Sequence, residues 1–267
     1  MTSNELMYMN WREMIRPKKV QVTSKPSYGK FVCEPLERGF GITIGNSLRR
    51  IILSSLYGAA ITSVKFEGVM HEFSVISGIY EDVSEIILNL KEIRFKLADA
   101  EPKTVRIDLE GKREVVAGDI ISDDGRCEVL NPEQHIATLT DKAKLMMSMT
   151  VNTGRGYSLS EANKDEDALL GTIPVDAVFS PIKRVTYVVD NARVGQRTDY
   201  DKLTLEVWTD GSILPEDAVA YAAKILKEQM TIFINFDEQL EPEPVRKTEE
   251  KEKPKFNENL YRSVEEL

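Results

Sequence analysis

The sequence has few of the residues that catalytic and metal sites need. Its only histidines are His71 and His135, and its only cysteines, Cys33 and Cys127, are far apart and form no C-x-x-C motif. This composition offers no disulfide framework, no zinc site and no support for a Ser-His-Asp or Cys-His catalytic set. We therefore predict no catalytic residue, no metal site and no cofactor in this chain, and the cysteine usage indicates a reducing, cytoplasmic setting.

Long hydrophobic runs and net positive charge are also absent. No stretch approaches the ~18 consecutive apolar residues of a membrane helix, and the opening segment MTSNELMYMNWREMIRPKK has no uninterrupted apolar core of a signal peptide. The formal net charge of −9 would repel a polyanion, so any nucleic-acid contact has to be local. With 267 residues, the chain is long enough for one large domain or two ordinary ones.

The apolar pattern predicts mostly strands. Alternating apolar residues in KVQV, TVRIDL, RVTYVV and KLTLEVW are typical of half-buried strands. Three helices are expected as well. The first runs roughly from Asn46 to Tyr57, with Asn46 or Ser47 as N-cap and Gly58 as its left-handed stop, and the third begins at Pro215.

The second helix lies in IYEDVSEIILNLKEI and is expected to pack on a sheet. Three acidic residues, Glu81, Asp82 and Glu85, stand near its positive end. Its apolar residues recur at helical spacing on one face: Ile79, Val83, Ile86, Ile87 and Leu90.

The stretch LERGFGITIGNSLRRIILSSLYGAAI allows two interpretations. Gly39, Gly41 and Gly45 ahead of a helix could cradle a phosphate, whereas a docking helix is the other possibility. The preceding CEPLERGF is polar and broken by proline, and the third glycine is followed by Asn-Ser without a lysine, so neither a dinucleotide site nor a P-loop is complete. A dinucleotide-dependent enzyme therefore stays only as an alternative.

Helical rotation separates the residues after these glycines into two faces. One is an ordinary core stripe made of Leu48, Ile51, Ile52, Ser55 and Leu56. The other mixes polar and apolar types: Arg49, Arg50, Leu53, Ser54 and Tyr57. Arginine and tyrosine are enriched at protein interfaces, and a small serine permits close approach, so this face is a candidate docking surface. A solvated face with snorkelling arginines is the alternative.

The third helix carries more apolar surface than one packing face requires. Its apolar positions cover close to half of the circumference, whereas a surface helix needs only about a 100° stripe: Val219, Ala222, Ala223, Ile225, Leu226, Met230, Ile232, Phe233 and Phe236. A symmetric second copy would use the excess, and burial between layers of its own domain is the alternative.

Three polar segments receive simpler interpretations. The run Asp165 to Asp167 is expected to be a solvated loop, and GRGY, at Gly154 to Tyr157, a turn between strands. After Leu240, the segment EPEPVRKTEEKEKPK is too polar to bury, so we expect an extended, mobile linker over residues 241–259 that proteases cut readily.

Four blocks of this sequence resemble one family. They are LERGFGITIGNSLRRIILSSLYGAAI, GVMHEFSVISGIYEDVSEIILNLKEI, VNTGRGY and IPVDAVFSPIKRVTYVVDNARVGQRTDYDKLTLEVWTDGSILPEDA, and they cover most of residues 28–235 in the family's order. The chain resembles the α subunit of bacterial DNA-directed RNA polymerase. The resemblance implies a structural subunit of a nucleotidyltransferase, without an active site of its own, in the cytoplasm and associated with the nucleoid as part of the polymerase.

The resemblance also implies an α+β fold with two subdomains. A dimerisation subdomain, with two long helices on an antiparallel sheet, would comprise residues 1–58 and 182–240, and a β-rich subdomain, residues 59–181, would be inserted into it. The homodimer would be the platform for assembly of the two large catalytic subunits, β and β′, and for a holoenzyme with ω and σ.

Residue roles follow from the same resemblance. Arg50 would be the main contact for β, together with Arg49, Leu53 and Ser54, and Lys91, Val175 and Asp176 would contact β′. The dimer interface would involve Phe40, Ile51, Leu226, Met230 and Phe233.

Two segments depart from the family pattern. The family continues past its linker into a small helical domain that contacts promoter DNA, and residues 260–267 stand where that domain would begin. We therefore expect promoter contact only through a C-terminal domain absent from this chain, and we assign no function to the first ten residues. A free-standing β-rich binding module, which would be a stable monomer, is the remaining alternative class.

Overall fold

The protein is described by a computed structural model that covers residues 14–122, 125–165 and 168–234. The chain divides into two units, residues 1–229 and residues 230–267. Of the second unit, the structure describes residues 230–234, which contain the end of one helix. The predicted linker at residues 241–259, residues 260–267, the first ten residues and Phe236 lie outside the described residues.

The described residues form three α-helices, one 3₁₀ turn at Ala117–Asp119 and fifteen strands. In chain order, the elements are β1 (Gln21–Lys25), β2 (Tyr28–Leu36), α1 (Phe40–Ser54), β3 (Tyr57–Phe66), α2 (Val83–Lys91), β4 (Phe95–Leu97), β5 (Lys103–Glu110), β6 (Arg113–Val116), β7 (Ile121–Ser122), β8 (Cys127–Val129), β9 (His135–Leu139), β10 (Lys144–Arg155), β11 (Tyr157–Ser158), β12 (Thr172–Pro174), β13 (Ala177–Val178), β14 (Ile182–Val194), β15 (Arg197–Thr209) and α3 (Pro215–Thr231). The mixed α+β class predicted from the sequence is confirmed.

Two long helices cover a four-stranded antiparallel sheet. The strand order is β1-β2-β15-β14, so strands from the two ends of the sequence pair with each other through β2 and β15. Helix α1 packs on β14 and β15. A hydrophobic cluster joins the sheet to α1 and α3: Phe31, Leu48, Ile52, Leu56, Ile182, Val185, Leu205, Val207, Ala218 and Ala222.

Helix α1 begins earlier than predicted. It starts at Phe40, its N-cap is Gly39 with a left-handed φ of 92°, and it ends at Ser54. The predicted N-caps Asn46 and Ser47 are therefore wrong, and Gly58 lies in β3 instead of ending the helix.

Long-range packing explains the glycines inside α1, which intrinsic propensity disfavours by about 1 kcal/mol each. A Cβ atom on Gly41 would lie 2.8 Å from Val189 Cγ1, and one on Gly45 would lie 2.8 Å from Tyr187 Cδ2. Because both approaches are shorter than real side chains tolerate, only glycine lets α1 lie this close to the β14–β15 hairpin.

The part of the chain from β3 to β12 forms a larger antiparallel sheet. Its strand order is β7-β5-β10-β3-β4-β8, with β12 also paired to β3, and β6 and β9 form a separate pair. Helix α2 packs against β9, where Asn89 Nδ2 donates to the Ile136 carbonyl at 2.9 Å. The hydrophobic cluster of this region draws its buried residues from the range 61–175.

The prediction for α2 is confirmed except at Ile79, which is buried but precedes the helix. Four of its apolar residues are buried in that cluster: Val83, Ile86, Ile87 and Leu90. Asp82 is the N-cap, and its side chain accepts from the Glu85 backbone N–H at 2.7 Å. The acidic N-cap therefore determines where α2 begins, and the apolar stripe determines which face it buries, as the local sequence predicts.

Candidate protein-docking surfaces

The outer face of α1 is exposed as the rotational pattern predicts. Arg49, Arg50 and Ser54 are exposed, whereas Leu48 and Ile52 are buried under the helix. Within the part of the chain that the structure describes, neither arginine forms an ion pair or a side-chain hydrogen bond. This face therefore presents two unneutralised guanidinium groups on a protein with a net charge of −9.

The positive end of α1 is already occupied by a carboxylate of the same chain. Oδ2 of Asp201, a buried residue of β15, accepts from the backbone N–H of Gly39 at 2.8 Å and of Gly41 at 3.0 Å. These are the donors that a phosphate would need at a glycine-rich helix start. The nucleotide interpretation of the glycines is therefore wrong, and the glycines serve the packing of α1.

Two glycines near the C-terminal end of α1 leave room for a close approach of the chain. Gly58 in β3 stands directly opposite Gly154 in β10. A Cβ atom on Gly58 would lie 1.8 Å from the Phe179 carbonyl oxygen, and one on Gly154 would lie 2.6 Å from Phe179 Cδ2. Because neither residue has a side chain, Phe179 packs across both strands.

The segment after Phe179 is thereby held against the last turn of α1. Ser180 Oγ donates to the Leu53 carbonyl at 3.3 Å, and Ser54 Oγ donates to the Arg50 carbonyl at 2.8 Å. The predicted turn over GRGY is reduced to one residue: Gly156, with φ of 64°, separates β10 from β11, whereas Gly154, Arg155 and Tyr157 are strand residues. The two opposed glycines were visible in the sequence, but only strand register shows that they face each other.

Two of the residues expected to contact β′ lie side by side. Lys91 Nζ at the end of α2 is 3.2 Å from Asp176 Oδ2, and Asp176 Oδ1 accepts from the Ser160 backbone N–H at 2.9 Å. The Ser160 N–H, then Lys91 and the Tyr157 hydroxyl, lower the pKa of Asp176 to about 2. The carboxylate is therefore ionised across the neutral range and pairs with a half-exposed lysine.

The third residue of that set, Val175, is not available to a partner. Its side chain is only 3% exposed in the hydrophobic cluster of the larger sheet. Its backbone N–H donates to the Thr62 carbonyl at 2.8 Å, and its carbonyl accepts from Asn163 Nδ2 at 2.8 Å. The side chain of Val175 therefore packs in the core, and the partly exposed group beside it is the Asp176 carboxylate. The expected β′ contact around these residues stays a prediction.

The residues expected at a dimer interface differ in exposure. Ile51 and Leu226 are half-buried against the cluster under α1 and α3, whereas Phe40 is exposed. In the second unit, Met230 is exposed and Phe233 is 80% exposed. Large apolar side chains in contact with water are typical of surfaces that a partner covers.

The described ranges show no sign of a metal centre or a membrane helix. They contain no group of three or more His, Cys, Asp or Glu residues placed to hold a metal ion. None of the helices in these ranges is long and apolar enough to cross a bilayer.

Comparison with known proteins identifies close relatives. The family model described as RNA polymerase Rpb3/RpoA insert domain matches residues 64–180. The DNA-directed RNA polymerase subunit alpha of Desulforapulum autotrophicum is 66% identical over 267 residues, which is 100% of this chain and 78% of the relative. The protein of the same name from Desulfosudis oleivorans is 68% identical over 99% of this chain and 78% of its own length. That of Geobacter metallireducens is 61% identical over 98% of this chain and 77% of its own length.

Proposed function

The chain belongs to the family of bacterial DNA-directed RNA polymerase α subunits, and we propose that it is a structural subunit of that enzyme. Two copies form a homodimer on which the large catalytic subunits, β and β′, assemble for transcription. The observation that carries this proposal is the identity of 66% over the whole chain with a protein of that name. Nucleotide transfer then belongs to the assembled, cytoplasmic and nucleoid-associated enzyme, in its holoenzyme form with ω and σ, and not to this chain alone.

The division of labour within the chain follows its two hydrophobic clusters. We assign dimerisation to residues 1–58 and 182–240, and we treat residues 59–181 as the inserted β-rich region. The cluster under α1 and α3 takes its buried residues from the ranges 31–56 and 182–222, and the other takes its own from 61–175, which supports these boundaries. The dimer contact involves Phe40, Ile51, Leu226, Met230 and Phe233.

The exposed face of α1 is assigned to the β subunit. Arg50 is the main anchor, and Arg49, Leu53 and Ser54 surround it. Arginine can make several directed hydrogen bonds from one position, and neither arginine of the pair is neutralised by a described residue. A carboxylate or carbonyl group of the partner would therefore find hydrogen-bond donors on this face.

The Lys91–Asp176 pair is assigned to β′. Its two side chains are each about 30% exposed and form one polar surface feature at the end of α2. Val175 supports this feature from the core. The two large subunits thus contact different parts of the chain, and separate variants can distinguish them.

Co-expression with β and β′ tests the proposal. A tagged chain is expected to sediment as a dimer at micromolar concentration and to retain both large subunits on purification. Phe233→Glu is expected to give a folded monomer that recruits neither subunit stably, because an unpaired charge in a packed interface costs several kcal/mol. Leu170→Glu, a change at another highly exposed apolar residue, is the matched control and keeps the dimer. A wild-type chain that stays monomeric and binds neither subunit would overturn the proposal.

A further inference from the structure

An exposed surface with unassigned function adjoins the last turn of α1. It consists of Tyr57, Arg155 and Val178, all of which are exposed, and we refer to it as the Tyr57–Arg155 surface. The neighbouring Tyr157 hydrogen-bonds to Asp176 of the proposed β′ contact and is not counted in this surface. Tyr57 and Arg155 are opposed in the β3–β10 ladder, and Tyr157 is opposed to Val178 in the β11–β13 pair. These residues therefore lie on two separate antiparallel strand pairs, which the hydrogen bond from the Phe179 N–H to the Gly156 carbonyl connects.

This surface is continuous with the outer face of α1. A Cβ atom on Gly156, between Arg155 and Tyr157, would lie 3.9 Å from the Ser54 carbonyl oxygen. The Phe179 N–H donates to the Gly156 carbonyl at 2.8 Å, and the next residue, Ser180, donates to the Leu53 carbonyl. A partner that lies on Leu53 and Ser54 therefore reaches the Tyr57–Arg155 surface without crossing a gap.

Arg155 is oriented by an aromatic ring and not by an acid. Its guanidinium carbon lies 5.4 Å from the centroid of the Tyr57 ring, and no ion pair to Arg155 occurs among the residues that the structure describes. A stacked arginine keeps its hydrogen-bond donors available while losing part of its rotamer freedom, so less entropy is lost when a partner binds. This is the arrangement expected of a preorganised anchor.

The charge of the combined surface is opposite to that of the chain. Arg49, Arg50 and Arg155 are three guanidinium groups without a carboxylate partner among the described residues, on a protein of net charge −9. The exposed residues Leu53, Tyr57 and Val178 belong to the same combined surface. A protein surface with carboxylates around an apolar centre fits both features, whereas a phosphate backbone would leave the apolar residues without a contact.

We propose that Arg155, held by Tyr57, is a second anchor for the same large subunit that Arg50 contacts, and that this subunit brings acidic residues around an apolar centre. The inference rests on the proposed function, since it extends the surface of α1 assigned to β. It assigns a role to the arginine of the GRGY motif, which the dimerisation and β′ contacts do not use.

The test measures the affinity of purified homodimers for the isolated β subunit. Arg155→Ala is expected to weaken binding roughly tenfold or more, the effect of an interface anchor, and Arg155→Lys to restore it only in part. Tyr57→Phe keeps the ring and is expected to bind like wild type, whereas Tyr57→Leu weakens binding because Arg155 loses its support. Arg113→Ala, which removes an exposed arginine paired with Asp119 in the inserted region, is the matched control and leaves the affinity unchanged.

The outcomes separate this inference from the proposed function. If Arg50→Ala weakens binding of β but Arg155→Ala binds normally, the second anchor is wrong and the α1 contact stands. If both variants bind β normally, the assignment of α1 fails as well. A loss of affinity for a DNA duplex, with affinity for β unchanged, would show that the surface is a nucleic-acid contact and would also overturn the inference. Unchanged urea midpoints of the variants establish that each one is folded.

Discussion

Lys91 Nζ lies 3.2 Å from Oδ2 of Asp176, a residue 85 positions later in the sequence. The pair joins the end of α2 to the segment that follows β12, at the edge of the larger sheet. It is half-exposed, so solvent screens it and its direct contribution to stability is small. Its position therefore favours a role in recognition, whereas the Ser160 N–H, which donates to the same carboxylate, is the main reason why this group makes folding depend on pH.

Asp176→Asn tests the state of this carboxylate. Because the pKa of Asp176 falls from 3.8 to about 2 in the folded chain, its contribution to stability is present above pH 4 and is lost as the pH falls toward 2. In urea unfolding, the variant is expected to be less stable than wild type at pH 6, and the difference should narrow below pH 4. Asp141→Asn, a change at an exposed loop residue, is the control for the general loss of one negative charge. A difference in unfolding free energy between variant and wild type that stays constant down to pH 2 would contradict the lowered pKa of Asp176.

Lys91→Glu tests the proposed β′ contact. Reversal of this charge places two carboxylates beside each other and removes the cation offered to the partner, so recruitment of β′ should weaken while the complex with β still forms. Lys96→Glu, a change at an exposed lysine of β4 in the same region, is the control and should recruit both subunits. Quantitative capture of β and β′ by the tagged homodimer is the measurement, and a parallel loss of both subunits would show that Lys91 is wrongly assigned.

Gly45→Ala tests the close packing of α1. Helix propensity alone predicts a gain of about 1 kcal/mol. The added methyl group would lie 2.8 Å from Tyr187 and 2.9 Å from Leu203, so we expect a net loss of roughly 1–3 kcal/mol of unfolding free energy, as for other overpacked sites. Asn46→Ala, at the next and exposed position, should be neutral or slightly stabilising. Equal stabilisation by both changes would show that α1 does not approach the hairpin this closely.

Asp201→Ala tests the carboxylate at the start of α1. Its loss leaves the N–H groups of Gly39 and Gly41 without their acceptor, and hydrogen bonds to a charged group are worth roughly 1.5–3 kcal/mol. We expect a loss of that order in urea unfolding. Asp199→Ala removes an exposed acid of the same strand that pairs with Arg197 and should cost far less. Comparable losses of unfolding free energy from the two changes would show that Asp201 does not cap α1.

Local signals in the sequence were sufficient for some elements and not for others. The acidic N-cap and apolar stripe of α2 lie within a few residues of each other, and helical rotation alone separated Arg50 from Ile52. The start of α1 was missed because its glycines are explained by Val189 and Tyr187, which are distant in sequence.

The candidate sites also differ in whether local sequence signals or contacts between distant residues determine them. Arg50 stands on a face that rotation identifies, but the approach of Lys91 to Asp176 requires the order of strands in the larger sheet, which no local pattern specifies. Val175 was assigned from the family resemblance, and its burial depends on which side of the segment faces the core, which no local pattern specifies. The opposed pair Gly58–Gly154 is likewise visible only once the register of β3 and β10 is known.

The most direct test of the assembly role is the affinity of the Arg50→Ala homodimer for β. Because Arg50 is exposed and apart from the apolar face of α1, the variant should still sediment as a dimer. It should bind β more weakly by about 2–4 kcal/mol, the range of an interface hot spot whose loss leaves partner groups unpaired. A dimer that binds β with wild-type affinity would contradict the account, and a monomer would show that the two faces of α1 are assigned the wrong way round.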